Sequence, residues 1–290
     1  MATVLPEYPQ RNLAELSAFV MSSIEAIGVD VPAASRLRQM HDLIVSVTGM
    51  IQPSHPNFDV AREAIRDLQM LGFTFDHLDS HHSTPSLQQL VRKLVKDSVL
   101  PQLDLVHSPG RDAAAELFAG AVCASAAFLP VDWEEPDVTC VRNAVKFGLA
   151  VKRVKSEKNL HKLVRKAVKQ IRRSGLPGII ILDASLGFNP HNDRVEVPFT
   201  DEEFGRRCKD ALHTIWDEHN PKIQKCLPAA DVRGIIVYDH HVRYQSDGQW
   251  SLAGYLMRVP AINRSDGDQR DFENFARAYA HGMPNQEDIR

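Results

Sequence analysis

Cysteine is scarce in this chain and poorly placed for structural chemistry. Cys123, Cys140, Cys208 and Cys226 lie far apart with no C-x-x-C spacing, which argues against a disulfide framework or a cysteine-built zinc site and reads as four reduced thiols. No apolar run is long enough to span a bilayer, and Met1 to Pro9 lacks the charged-then-apolar pattern of a secretory leader. A cytoplasmic address is therefore expected. The chain has no P-loop, Rossmann glycine fingerprint or G-x-S-x-G elbow, so nucleotide hydrolysis and serine-esterase chemistry have no foothold. Internal repeats and low-complexity tracts are missing as well. What is present is 290 residues at 43% hydrophobic content, enough for one large domain or two modest ones.

Charge is small overall and uneven along the chain. The formal net charge is -3, yet residues 152–173 hold ten Lys or Arg against one Glu, a local +9 that leaves -12 for the remainder. An acidic body with one basic segment concentrates its attraction for polyanions in one place.

Residues 12–27, 33–47, 57–71 and 85–99 carry apolar residues at helical spacing, with Gly28, Gly49 and Gly72 near the expected stops and Thr84-Pro85 as a helix start. Residues 1–107 thus read as a helical N-terminal region. After Ser108-Pro109-Gly110, residues 111–128 are Ala-rich and apolar almost all round, a helix buried against a sheet, with Glu116 in its middle. Residues 137–141 suit a strand, 142–144 a turn, and 145–151 alternate cleanly, placing Ala150 and Lys152 on one face. Helical spacing returns over 156–173 with Lys158, Lys162, Arg165, Lys166, Lys169 and Arg172 opposite the apolar stripe, and 178–183 is an interior strand. A polar loop, a helix over about 201–218, strands at 234–238 and 250–259, and a terminal helix at 270–279 complete an α/β arrangement.

Metal-assisted hydrolysis of a phosphodiester needs carboxylates to hold a hard cation and a nearby lysine to orient water or stabilise developing charge. Residues of those types occur here in order: Glu116 on the Ala-rich helix, Pro136-Asp137 opening a strand, and Lys152 closing the next. In order, element type and spacing, residues 111–259 resemble the PD-(D/E)XK nuclease superfamily. The resemblance implies a restriction-endonuclease-like mixed sheet flanked by helices, spanning residues 108–290 as a domain. It implies Asp137 and Glu116 as ligands of Mg²⁺ or Mn²⁺, the Val151 carbonyl as a further ligand, and Lys152 as the catalytic lysine. Gln170 resembles a glutamine that several branches keep on the following helix. One part is missing, because Ala150 stands where the family has Asp or Glu. Some branches move that acid to the next helix; Glu157 is the only acid in the basic segment, but its place near a helix start favours a capping role.

The expectation is a metal-dependent nuclease-like protein acting on nucleic-acid phosphodiesters, DNA first, with Lys155, Lys158, Lys162, Arg165, Lys166 and Lys169 on the phosphates. The alternative, supported by Ala150, is the same fold without catalysis, serving as a nucleic-acid-binding or structural module. A homodimer is a further expectation, since cutting both strands commonly uses two sites. Two histidine clusters invite other readings: Asp76, His77, Asp79, His81 and His82, and the run Asp239-His240-His241, which resembles the motif of the DHH phosphoesterases. Both are expected to be polar loop residues.

Overall fold

The computed structural model describes residues 11–46, 56–78, 84–99, 108–187, 201–244, 250–262, 264–284 and 286–289. Four helices come first: α1 (Leu13–Ala26), α2 (Arg36–Ser46), α3 (Phe58–His77) and α4 (Pro85–Leu94). Asn12 and Glu15 form a reciprocal capping box on α1, Gly28 takes φ +84° just beyond its end, and Thr84 accepts the Leu87 N–H at 3.2 Å ahead of Pro85.

Helix α3 runs past the expected stop near 71 to His77. Gly72 does not terminate it. A Cβ at that position would lie 2.3 Å from Leu16 Cδ1, so the glycine lets α1 pack directly on α3. The extension puts Asp76 and His77 on the helix rather than in a loop. Asp76 receives a two-pronged hydrogen bond from Arg11 at 2.7 and 2.8 Å, and the His77 ring packs on Phe73. Gly49, Asp79, His81 and His82 lie outside the described residues.

The remaining elements are α5 (Pro109–Ser125), β1 (Val131–Asp132), β2 (Val138–Arg142), β3 (Val145–Arg153), α6 (Leu160–Ser174), β4 (Gly178–Asp183), α7 (Asp201–Gln224), β5 (Val232–Tyr244), β6 (Trp250–Pro260), α8 (Asp266–Gly282) and β7 (Gln286–Ile289). The strands form one mixed sheet in chain order. β1, β2 and β3 are antiparallel, β3, β4 and β5 parallel, β5 and β6 antiparallel, and β6 and β7 parallel. Asn143 and Ala144, at φ +49° and +62°, turn the β2–β3 hairpin. Parallel β3 and β4 require a crossover, and α6 supplies it. The two flanking strands β1 and β7 were not expected; at two and four residues they are too short to show an alternation in sequence.

Strand β5 also runs beyond the expected 234–238, because β6 pairs with it from Gly234 to Tyr244. Asp239 and His240 therefore belong to the sheet interior, each 0% exposed, and the His240 ring sits edge-on to Phe118 at 5.3 Å. They are not the polar loop residues that the sequence suggested.

Two cores flank the sheet. Val138, Leu149, Val151, Ile179 and Ile181 face α5 and α8, and that cluster continues without a break into α1 to α4. Ala150, Ile180, Leu182 and Ile235 face α6 and α7. Helix α5 is apolar all round because it is covered by the sheet on one side and by α3 and α4 on the other. Among the described residues no helix is long and apolar enough to cross a membrane, and Cys123, Cys140 and Cys226 are free thiols.

The seating of α6 depends on a missing side chain at the start of β4. A Cβ on Gly178 would lie 2.3 Å from Ile171 Cγ2. Gly178→Val is expected to lower unfolding stability by about 2 kcal/mol in a denaturant titration. A variant as stable as wild type would show that α6 does not rest on β4 at this point.

Candidate active site

The site begins with strand register. Val138 pairs with Leu149 across the β2–β3 hairpin, so Asp137, one residue earlier, falls beside the outgoing end of β3. Its carboxylate is satisfied from three directions. Oδ2 accepts the Val151 N–H at 2.8 Å and the Lys152 Nζ at 2.6 Å, and Oδ1 accepts Gln170 Nε2 at 2.9 Å. Gln170 Nε2 also donates to the Pro136 carbonyl at 2.8 Å. Helix α6 thereby holds the Pro136-Asp137 corner in place. The Asp137 and Lys152 side chains are 12% and 17% exposed, a largely buried ion pair. Burial raises the Asp137 carboxyl above its ordinary value, against the opposing pull of Lys152, the Val151 N–H and Gln170.

Lys152 has a second acceptor. Its ammonium also donates to the Val151 carbonyl at 2.8 Å. It therefore sits between one carboxylate oxygen and one carbonyl oxygen, the two acceptors assigned by resemblance to a metal.

Glu116 reaches the same place from α5. It lines a cleft of about 550 Å³ together with Val151, Lys152, Lys155, Lys162 and Lys166. Burial, then repulsion from Asp137, raises its carboxyl from the ordinary 4.5 to about 7, with Lys152 and Lys93 pulling the other way. Two carboxylates that repel one another beside a carbonyl make a hard-oxygen donor set of the kind Mg²⁺ accepts while keeping several waters. Glu116, Asp137 and Val151 thus fit a divalent cation, provided Lys152 gives way. Among the described residues no three His, Cys, Asp or Glu side chains converge as a ready-made metal cluster.

The other expected residues divide. Lys155, Lys162 and Lys166 face the cleft, whereas Lys158, Arg165 and Lys169 are exposed without lining it. Glu157 is exposed on a short 3₁₀ turn, Glu157–Asn159, and does not line the cleft. Ala150 is 0% exposed and packed with Leu160, Val164 and Ala167 of α6 rather than on the cleft wall. Asp112 and Asn159 also line the cleft, and neither was expected there. Asp112 pairs with Arg153 at 3.3 Å and Lys155 at 3.7 Å. Its signal was legible, since it stands four residues before Glu116 and so on the same face of α5.

No family model, no curated protein and no solved structure matches this chain. The site has to be interpreted from its own residues.

The raised Glu116 carboxyl links the cleft to stability. Between its unfolded value near 4.5 and its folded value of about 7, the folded protein holds a proton that the unfolded chain releases. Stability contributed by that proton is lost as pH rises through this window. Glu116→Gln, which mimics the protonated form, is expected to raise the melting temperature relative to wild type at pH 8 and to leave it nearly unchanged at pH 4.5. Equal shifts at both pH values would place Glu116 outside the cleft's electrostatic field.

Proposed function

We propose that the chain is a metal-dependent nuclease-like protein of the PD-(D/E)XK type, acting on nucleic-acid phosphodiester bonds, with DNA as the first substrate to test. The observation that carries this reading is the meeting of Glu116, Asp137, Val151 and Lys152 at the edge of a mixed sheet, under a cleft lined by Lys155, Lys162 and Lys166. The mixed sheet with its α6 crossover supports a restriction-endonuclease-like core over residues 108–290, preceded by the helical region 1–107.

In this reading the cleft lysines hold backbone phosphates, which gives affinity with little dependence on sequence. Gln170 and the Val151 N–H fix the Asp137 carboxylate. Lys152 exchanges Asp137 for a phosphate oxygen and stabilises charge developing there. Glu116, whose carboxyl is raised to about 7 by burial and by Asp137, would give up its proton to serve as a carboxylate ligand. A divalent cation held by Glu116, Asp137 and the Val151 carbonyl would supply charge neutralisation and an activated water.

A second reading is favoured by the seat of Lys152. Its ammonium already engages Asp137 and the Val151 carbonyl, and position 150 supplies no carboxylate, so the same cleft suits a nucleic-acid-binding module without catalysis.

Plasmid, linear duplex DNA, single-stranded DNA and RNA are incubated with Mg²⁺ or Mn²⁺, beside Asp137→Ala and Lys152→Ala variants checked for folding by circular dichroism. The nuclease reading expects cutting by wild type and a loss of at least about 100-fold in each variant. Absence of cutting by wild type, with salt-sensitive binding retained, establishes the binding module instead.

The footprint of the cleft is measured separately. Replacing Lys155, Lys162 and Lys166 with Ala is expected to reduce the slope of log affinity against log salt by about three. An unchanged slope would remove the cleft from the binding surface.

A further inference from the structure

A second polar feature lies beside the cleft and plays no part in the proposed chemistry. Where α2, α3 and α5 meet the carboxyl ends of β3 and β4, a partly open cavity of about 40 Å³ penetrates the molecule. Room for one water begins at about 10–15 Å³, so this space takes a cluster of about three waters or one small polyatomic ion. Open α/β sheets place ligands beyond the carboxyl ends of their parallel strands, which is where this cavity lies.

Its polar wall is dominated by guanidinium groups. Arg36, Arg66, Arg111 and Arg153 line it, against the carboxylates Asp67 and Asp183. Asp67 is shared among three of them, at 3.3 Å from Arg36, 3.2 Å from Arg66 and 3.5 Å from Arg111. Arg66 has a further partner in Glu63 at 2.7 Å, and Arg153 one in Asp112 at 3.3 Å. Arg111 donates to the backbone carbonyls of Ser98 and Val99. Arg36 is the exception. Its side chain is 1% exposed, its ion pair is with the shared Asp67, and its Nε and Nη1 make no hydrogen bond. Burying a guanidinium with its donors unsatisfied is destabilising unless an acceptor arrives.

Burial also acts on the charged groups of this wall. Burial, opposed by Asp67, lowers the Arg36 guanidinium, and lowers that of Arg111 to about 10 with help from Arg36, Arg66 and Arg153. Asp67, which burial alone would raise, is held down to about 2 by Arg111, Arg66 and Arg36. The Tyr238 phenol, fully buried and within the electrostatic reach of Asp183, Arg153 and Arg66, also lacks a hydrogen-bond partner. Guanidinium forks match the oxygen pairs of tetrahedral oxyanions and bind them bidentately.

We infer that this cavity is a binding site for a small tetrahedral oxyanion of the phosphate class, taken up by Arg36 with support from Arg111 and Arg153. Arg153 lines both this cavity and the cleft, so two sources present the right chemistry: free inorganic phosphate, or the terminal phosphate monoester of a strand lying in the cleft. Only the second source rests on the nucleic-acid reading.

The full-length protein is titrated with inorganic phosphate, and with sodium chloride at matched ionic strength, by calorimetry and thermal shift. Saturable binding and a melting-temperature rise that chloride does not reproduce are expected, with affinity at least 10-fold weaker in Arg36→Met. A wild-type protein that shows no saturable response to phosphate overturns the site, as does a folded Arg36→Met variant with undiminished affinity. Should Arg36→Met fail to fold, a wild-type crystal soaked in phosphate decides: density in the cavity upholds the site, and density elsewhere or nowhere rejects it. Oligonucleotides with phosphorylated and hydroxyl ends then separate the sources. At least 10-fold tighter binding of a phosphorylated end, competed by inorganic phosphate, identifies the strand terminus; indifference to end phosphorylation identifies free phosphate. Because the first titration contains no nucleic acid, its result stands whether or not the protein cuts DNA.

Discussion

The Asp137 carboxylate is the point at which separate elements are tied together. It stands at the entry to β2, takes a main-chain N–H and an ammonium from β3, and takes an amide N–H from α6. Removing one partner of such a buried pair typically costs about 3–5 kcal/mol, because the remaining charge keeps its desolvation penalty without compensation. The candidate site and the architecture therefore depend on the same atoms.

Much of the sheet was legible because its signals are local. The alternation through β3 and the unbroken apolar run of β4 identify interior strands, and the amphipathic α6 between them implies the crossover that makes them parallel. The all-round apolar surface of α5 correctly implied burial, although its cover is helical on one side. Pairings that depend on distant partners were not legible. The length of β5 is set by β6, so Asp239 and His240 resemble loop residues in sequence and core residues in space. Gly72 shows a similar ambiguity: a glycine can end a helix or allow another helix to approach, and only Leu16 decides between them.

The candidate site was legible to the extent that order along the chain fixes neighbours. Asp137, Lys152, Gln170 and Glu116 were grouped through the resemblance, and a hairpin, a crossover and one adjacent helix bring them together. The arginine cavity could not. Arg36, Arg66, Arg111 and Arg153 come from four elements, and each looks in sequence like an ordinary helix or strand-end cation. The two cationic regions also differ physically. The cleft lysines are screened within about 8–10 Å at ordinary salt, whereas the buried guanidiniums are screened much less. Arg153 lines both regions and stands between a strongly screened surface and a weakly screened interior.

Ala150 makes the seat of α6 sensitive to a single side chain. It is fully buried in the same apolar layer as Leu160, Val164 and Ala167. A carboxylate introduced there would enter that layer beside Val151, whose N–H already serves the buried Asp137. A larger or charged residue at 150 therefore requires α6 itself to repack, so the helix sets the size limit of a position two residues from Lys152.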